Sequence, residues 1–376
     1  MKTNYNSLLI FFLNLDMIKY SYCLIILLFI SCKESENPRD RNLYFPPLAG
    51  SIWETQSPSS LDWNENELEA LYKLLETGNT RGFIVLKDGK IAIEKYFGPQ
   101  LLGNQPFGQS SVWYWASAGK TLTATLAGIA QQEGLLNIHA PTSTYLGNGW
   151  TSTSPSQENA ITVWHQLTMT TGLDDGVSNR DNTNPESLKY FAAPGTRWAY
   201  HNAPYTLLEC VISNATNRSF SDYFDTKIAS KIGMVGSWQT IDFNNVYFSN
   251  TRSMARFGLL ILAKGKWGNQ EVLNDHAFFE QMVNTSQTLN PAYGYLWWLN
   301  GKTPFMIPSI QLQFNGILIP DAPHDMIIAA GRDGQFVCLV PSQNLVLIRT
   351  GLDSNNALVS FTYLNQIWTA LNRVIK

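Results

Sequence analysis

The sequence predicts an α/β (α+β) fold. One antiparallel sheet is built from strands at the two ends of the chain and flanked by helices, with a mostly helical region inserted between them. Residues 81–86 and 90–96 are apolar, β-branched runs on either side of Lys87-Asp88-Gly89, and Asp-Gly between such runs marks a hairpin. Residues 325–330, 335–340 and 344–349 are short apolar runs separated by turn residues near the other end, which reads as three more strands. From about 136 to 284, helical stretches alternate with Gly-, Asn-, Ser- and Thr-rich loops such as 147–160 and 171–186.

In chain order, the first element is a targeting segment. Lys19 precedes the apolar run 23–30, and Ser31-Cys32 follows it. A charged flank, a short apolar stretch and a small residue make a secretory signal, too short to span a membrane comfortably. The small residue before Cys32 has the form of a bacterial lipobox. Residues 1–31 are therefore expected to be a lipoprotein-type signal, with Cys32 the lipidated first mature residue; an uncleaved anchor is the alternative, and Met17 is a second possible start. This predicts an exported protein of a bacterium, periplasmic or on the outer membrane or cell surface, that meets the membrane through its lipid. Residues 32–62, rich in Ser, Pro and Asn, read as a flexible tether. Residues 63–376 then make the folded domain, with an α/β part over about 63–135 and 285–376 and a helical part over about 136–284.

The helix after Ser117 carries an apolar stripe at Leu122, Leu126, Ile129 and Ala130, and Gly134 is placed to stop it. Later helices are expected from about Pro204 to Ile212, from Met254 to Ala263 and over 356–373. Hydrophobic residues make up 44% and charged residues 15% of the 376, a balance that favours a compact globular protein over a disordered one. The net charge of -3 comes without a basic stripe, so no nucleic-acid partner is expected. Outside the targeting segment only Cys210 and Cys338 remain; apolar flanks point to two buried free thiols, with one disulfide in an oxidising compartment the alternative. The five histidines show no metal-ligand spacing, and no metal or other cofactor is expected. His165 reads as a residue that satisfies a helix end.

Ser117 and Lys120 form a Ser-x-x-Lys at the start of the Ser117 helix. Residues three apart share a helix face, and a serine needs a neighbour to take its proton before it becomes a nucleophile. At ordinary residue frequencies about one or two such pairs arise by chance in a chain this long, so the pair needs context. The same stretch ends Gly119-Lys120-Thr121, like a phosphate-binding loop, but Tyr114 stands where that loop needs glycine. Trp115 likewise occupies the first glycine of a Gly-x-Ser-x-Gly elbow. Two further elements complete the inventory. Pro194-Gly195 turns the chain into Tyr200-His201-Asn202 at a helix start, and Gly331-Arg332-Asp333-Gly334-Gln335 joins two strands, either as a plain hairpin turn or with its N–H groups bordering a cleft.

In that order and spacing these residues resemble the serine β-lactamase-like hydrolases, a family of class C β-lactamases, penicillin-binding DD-peptidases, esterases and nylon-oligomer hydrolases. Ser117-Ala118-Gly119-Lys120 is similar to the first signature and Tyr200-His201-Asn202 to the Tyr-x-Asn signature. Residues 161–173 and 253–260 are similar to its linking segments, and the resemblance spans about 80 to 350. The third signature, Lys-Thr-Gly or His-Thr-Gly on a strand, is absent; Gly331 to Gln335 takes its place, as Gly-x-x-Gly-Gln does in the esterase and amide-hydrolase branch.

The resemblance implies a β-lactamase/transpeptidase-like fold and a serine hydrolase that cleaves a small ester or amide through an acyl-enzyme on Ser117. A penicillin-recognising peptidase or β-lactamase, and a non-catalytic binding protein of the same fold, are the alternatives. Lys120 and Tyr200 would share the proton work. Either a phenolate favoured by the nearby ammonium or a neutral Lys120 could be the base. The N–H groups of Ser117 and Arg332 would hold the oxyanion, and Asn202 would position Lys120 or the substrate carbonyl. Trp115, Trp198, Tyr293 and Trp298 are candidates for an apolar pocket wall, and Asp174 and Asp175 could border the cleft.

Overall fold

The computed structural model describes residues 43–353 and 359–375. The expected signal, Met17 and Cys32 lie outside the described residues. Helix α1 (Leu68–Thr77) leads into strands β1 (Thr80–Lys87) and β2 (Lys90–Tyr96). Asp88 and Gly89 take φ of 53° and 83°, the left-handed pair that a tight hairpin needs. After β3 (Val112–Tyr114), a 3₁₀ turn at Ala116–Gly119 runs straight into helix α2 (Lys120–Gln132). Gly134, at φ 71°, closes that helix as expected.

The inserted region holds α3 (Asn202–Thr206) and α4 (Leu208–Thr216), separated at Leu207 where one helix was expected. It is not wholly helical. Strands β4 (Gly236–Ile241) and β5 (Asn244–Asn250) form a hairpin whose second strand pairs with β3, Trp113 opposite Ser249. Helix α5 (Thr251–Leu262) follows, capped by Asn250, whose side chain accepts from Ser253 N at 2.7 Å. A two-residue hairpin, β6 (Lys266–Trp267) and β7 (Gln270–Glu271), comes next.

The chain then returns to the main sheet through β8 (Trp298–Leu299), β9 (Ile327–Gly331), β10 (Gln335–Val340) and β11 (Leu345–Gly351), and ends in α6 (Phe361–Ile375). The sheet order is β2-β1-β11-β10-β9-β8, antiparallel throughout. N-terminal β1 therefore lies against C-terminal β11, with Ile84 opposite Ile348. Every residue of β10 and β11 is buried, which is why these strands read as continuous apolar runs rather than alternating ones. On one side Gly258 of α5 comes so close that an added Cβ would meet Val346 at 2.6 Å. On the other, Tyr363 of α6 reaches Thr80 Oγ1 at 3.2 Å.

Two expectations need correction here. Residues 43–62 are not a tether. Tyr44 N donates to Asp88 O at 3.0 Å, and Ile91 N to Glu54 O and Gln56 N to Ile91 O at 2.9 Å each. Trp53 is buried, with Nε1 on Gly89 O at 2.8 Å. Main-chain pairing and one tryptophan dock a segment whose composition is that of a linker, and the compact unit accordingly begins at Leu43. Cys210 is exposed, whereas Cys338 is a buried free thiol; Cys210 lies on the outer face of α4, whose apolar neighbours turn inward.

Candidate active site

The nucleophile candidate sits on a constrained turn. Trp115 is fixed by its N–H on Tyr247 O at 2.9 Å and its indole on Ser249 Oγ at 2.8 Å. Ala116 follows at φ 47°, a left-handed conformation that costs a non-glycine residue about 1–2 kcal/mol. Such strain recurs where a fold must aim a reacting group. Ser117 comes next, at the open N-terminal end of the helical run, where main-chain N–H groups have no helical partner.

Lys120 is the first residue of α2, and its Nζ lies 3.3 Å from Ser117 Oγ. The side chain is 4% exposed. Its ammonium rests 3.9 Å from the ring centroid of Tyr205 and 5.4 Å from that of Tyr200. Burial brings its pKa down from 10.5 to about 7, against an opposing pull from Asp181. Near neutral pH a sizeable fraction of Lys120 is therefore the free amine.

Tyr200 is buried, and its hydroxyl is close enough to Ser117 to interact with it. Burial pushes this phenol well above 10.0, and the influence of the Ser117 hydroxyl only partly offsets the rise. The expectation that the ammonium would favour a phenolate is thus reversed. Desolvation disfavours the charged form of both groups, so the lysine loses a proton more readily and the tyrosine keeps its own.

The strand that passes Ser117 is β9. A Cβ added to Gly331 would lie 2.5 Å from Trp115 O, 2.9 Å from Ala118 N and 3.1 Å from Ser117 N. Only glycine permits this approach. Ala329 and Ala330 precede it on the strand, and Arg332 follows with its side chain exposed. The turn beyond is held from two sides. Tyr114 donates its hydroxyl to Asp333 Oδ2 at 2.7 Å. Arg349, fully buried, donates to Asp333 O, to Gly334 O at 3.0 Å, to Gly78 O at 2.8 Å and to Leu352 O at 2.6 Å.

The structure thus brings Ser117, Lys120, Tyr200 and the start of the Arg332 turn together. It corrects the pocket wall. Trp115, Trp198, Tyr293 and Trp298 are at most 1% exposed. Tyr200 stacks on Trp298 at 5.9 Å and 17°, and Tyr293 meets Trp298 edge-on at 4.8 Å. Trp198 meets Tyr293 at 5.4 Å, while Trp115 packs on Tyr247 and Phe257 in the core. Three of the four clamp Tyr200 and the fourth anchors the Ser117 turn; an open wall would leave them wet. Asp175 is spent in an ion pair with Arg197 at 2.6 Å, and Asp174 caps its own loop by accepting from Gly176 N at 2.9 Å. His165 completes a capping box with Thr162.

Sequence reasoning missed Tyr205 and Asp181. Tyr205 lies three residues after Asn202, so helical spacing could have flagged it. Asp181 sits in a polar loop with no motif around it. Asn202 donates Nδ2 to Asp181 Oδ1 at 2.7 Å.

This fold, with a lysine and a tyrosine converging on a serine at a helix start, defines the class of serine hydrolases related to β-lactamases. Residues 74–350 match the profile of the Beta-lactamase family, so the chain belongs to the beta-lactamase family. It is 26% identical over 141 residues to a β-lactamase of Escherichia coli, a match covering 36% of each chain. It is also 26% identical over 192 residues to penicillin-binding protein 4* of Bacillus subtilis, over 45% of this chain and 41% of that one; the matches thus span well under half of these relatives. In structure it is similar to a family VIII carboxylesterase, with a TM-score of 0.64 and 14% identity over 86% of this chain and 99% of that one.

Proposed function

We propose that the protein hydrolyses a small ester or amide through an acyl-enzyme on Ser117. The observation that carries this reading is the 3.3 Å approach of Lys120 Nζ to Ser117 Oγ, by an amine whose pKa burial has brought to about 7. A base near the working pH is the one that general-base catalysis needs.

In the proposed cycle Lys120, as the free amine, takes the Ser117 proton while Oγ attacks the substrate carbonyl. The N–H groups of Ser117 and Arg332 hold the oxyanion, a type of contact worth about 3–4 kcal/mol each. Tyr200, kept protonated, hands its proton to the leaving oxygen or nitrogen and recovers one from Lys120. Water then attacks the acyl carbonyl, giving up a proton to the Lys120–Tyr200 pair, and Ser117 leaves with its proton restored.

Ester or simple amide substrates are favoured over β-lactams because the strand leading into the Gly331 to Gln335 turn carries Ala329 and Ala330 and no Lys-Thr-Gly or His-Thr-Gly. Neither alanine can receive a carboxylate. The second reading, a penicillin-recognising enzyme, draws on the exposed Arg332 beside Gly331 and on the similarity to a β-lactamase and a penicillin-binding protein. Turnover of p-nitrophenyl butyrate and of nitrocefin separates the two. The first reading expects release of nitrophenol by the wild type, none by Ser117→Ala, and little or no opening of nitrocefin. Hydrolysis of nitrocefin alone would favour the second, and no turnover of either would favour a binding protein.

A further inference from the structure

Both oxygens of Asp181 are taken by carboxamides. Asn202 Nδ2 donates to Oδ1 at 2.7 Å, and Asn244 Nδ2 donates to Oδ2 at 3.2 Å. An ionised carboxylate only accepts, so each amide must turn its nitrogen toward Asp181. For Asn202 this leaves Oδ1 on the other side, buried and without a hydrogen-bond partner. An orphaned acceptor of this kind costs about 1–3 kcal/mol, and its persistence needs a reason.

Its position supplies one. Asn202 opens α3 and Tyr205 lies three residues on, so their side chains share a face. Tyr205 is the residue whose ring cradles the Lys120 ammonium. The groups that meet Lys120 are Ser117 from its own turn, Tyr200 from the preceding loop and Tyr205 from α3, and Asp181 from the polar loop acts on it through its charge. Burial keeps both tyrosines neutral, which leaves Asp181, among the described residues, as the one charged group acting on Lys120. The neighbouring Arg180 points away, to Ser309 Oγ at 2.7 Å.

We propose that Asp181 is a positioning residue of the Ser117 site: its carboxylate fixes the Asn202 carboxamide at the head of the helix whose Tyr205 ring cradles Lys120, and it sets one negative charge against the ammonium that forms when Ser117 gives up its proton. The proton passes from Ser117 Oγ to Lys120 Nζ, and the positive charge so formed is opposed by the Asp181 carboxylate. Asp181 touches neither substrate nor nucleophile.

The inference rests on the Ser117–Lys120 reading above. It is tested by the rate at which a fluorophosphonate labels Ser117, with loss of fluoride, between pH 5 and 10, followed by intact mass. The wild-type rate should rise with pH about a midpoint near 7. In Asp181→Asn the plateau should fall and the midpoint should move to lower pH, because the charge that favours the ammonium is gone. Asp181→Glu, which keeps the charge, should hold the wild-type midpoint and also covers the case in which Asp181→Asn does not fold. A slower Asp181→Asn with an unmoved midpoint, or a midpoint in Asp181→Glu that moves as far as in Asp181→Asn, would overturn the proposal. A wild type that takes no label on Ser117 brings down the hydrolase reading along with it.

Discussion

Gly331 of the main sheet and Ser117 of the helical turn touch through their backbones: a Cβ on Gly331 would come within 3.1 Å of Ser117 N and 2.5 Å of Trp115 O. Sheet and helix start are thereby locked at the spot where the oxyanion is proposed to form. Neither neighbour is a flexible side-chain tip, so Gly331→Ala must push the strand away. The expected result is a 10²- to 10³-fold loss of kcat, the effect of one misplaced oxyanion donor, with about 1–3 kcal/mol of destabilisation from overpacking. Steady-state kinetics and urea unfolding on the same sample check both.

Lys120 gives a prediction of opposite sign for activity and stability. Its pKa falls from 10.5 to about 7 on folding, so between those values the unfolded chain binds more protons than the native one. The penalty is complete below pH 7 and is relieved as pH rises toward 10.5. At about 1.4 kcal/mol per unit it amounts to something on the order of 3–5 kcal/mol. Lys120→Met should therefore abolish turnover yet unfold at higher urea concentration near neutral pH, with the gain shrinking toward pH 10. Equal stability of the two proteins from pH 6 to 10 would contradict the assignment.

Tyr200→Phe keeps the ring that stacks on Trp298 and removes only the hydroxyl. The fold should survive, with near-ultraviolet circular dichroism retained. The kcat should drop 10²- to 10⁴-fold, the range for a lost proton-transfer group. The acidic limb of the pH profile should stay near 7, since Lys120 and not Tyr200 sets it.

Arg349→Met tests the support behind the Arg332 turn. The guanidinium is buried and donates to the carbonyls of Gly78, Asp333, Gly334 and Leu352 and to Thr80 Oγ1. Methionine fills much of the volume but leaves those acceptors unpaired, at about 1–3 kcal/mol apiece when buried. A fall of at least about 3 kcal/mol in unfolding free energy is expected from chemical denaturation, with lower kcat in the fraction that folds.

Much of this was legible in the sequence because it rests on local chemistry. Asp88-Gly89 declares its hairpin through the left-handed backbone it needs, and the buried strands β10 and β11 declare themselves as unbroken apolar runs. Ser117, Lys120 and Tyr200 were legible through motif order. The β4–β5 hairpin was not: β4 has no buried residue, so it carries no apolar pattern. Residues 43–62 were hidden for a related reason, since main-chain hydrogen bonds hold them and leave little trace in composition. Asp181 is a lone acid in a polar loop whose meaning comes only from Asn202 and Asn244. The charge state of Tyr200 was misjudged because spacing shows that an ammonium is near, while only the fold shows that burial outweighs it.

Ser117 is proposed as a nucleophile that accepts acyl-type electrophiles without needing a carboxylate on them. Intact mass and peptide mapping after exposure to a fluorophosphonate, and separately to a penicillin, test it most directly. A phosphonate is expected on the peptide carrying Ser117, with no adduct in Ser117→Ala and no penicilloyl group. A folded wild-type protein bearing no phosphonate on Ser117, or a stoichiometric penicilloyl group there, would contradict it.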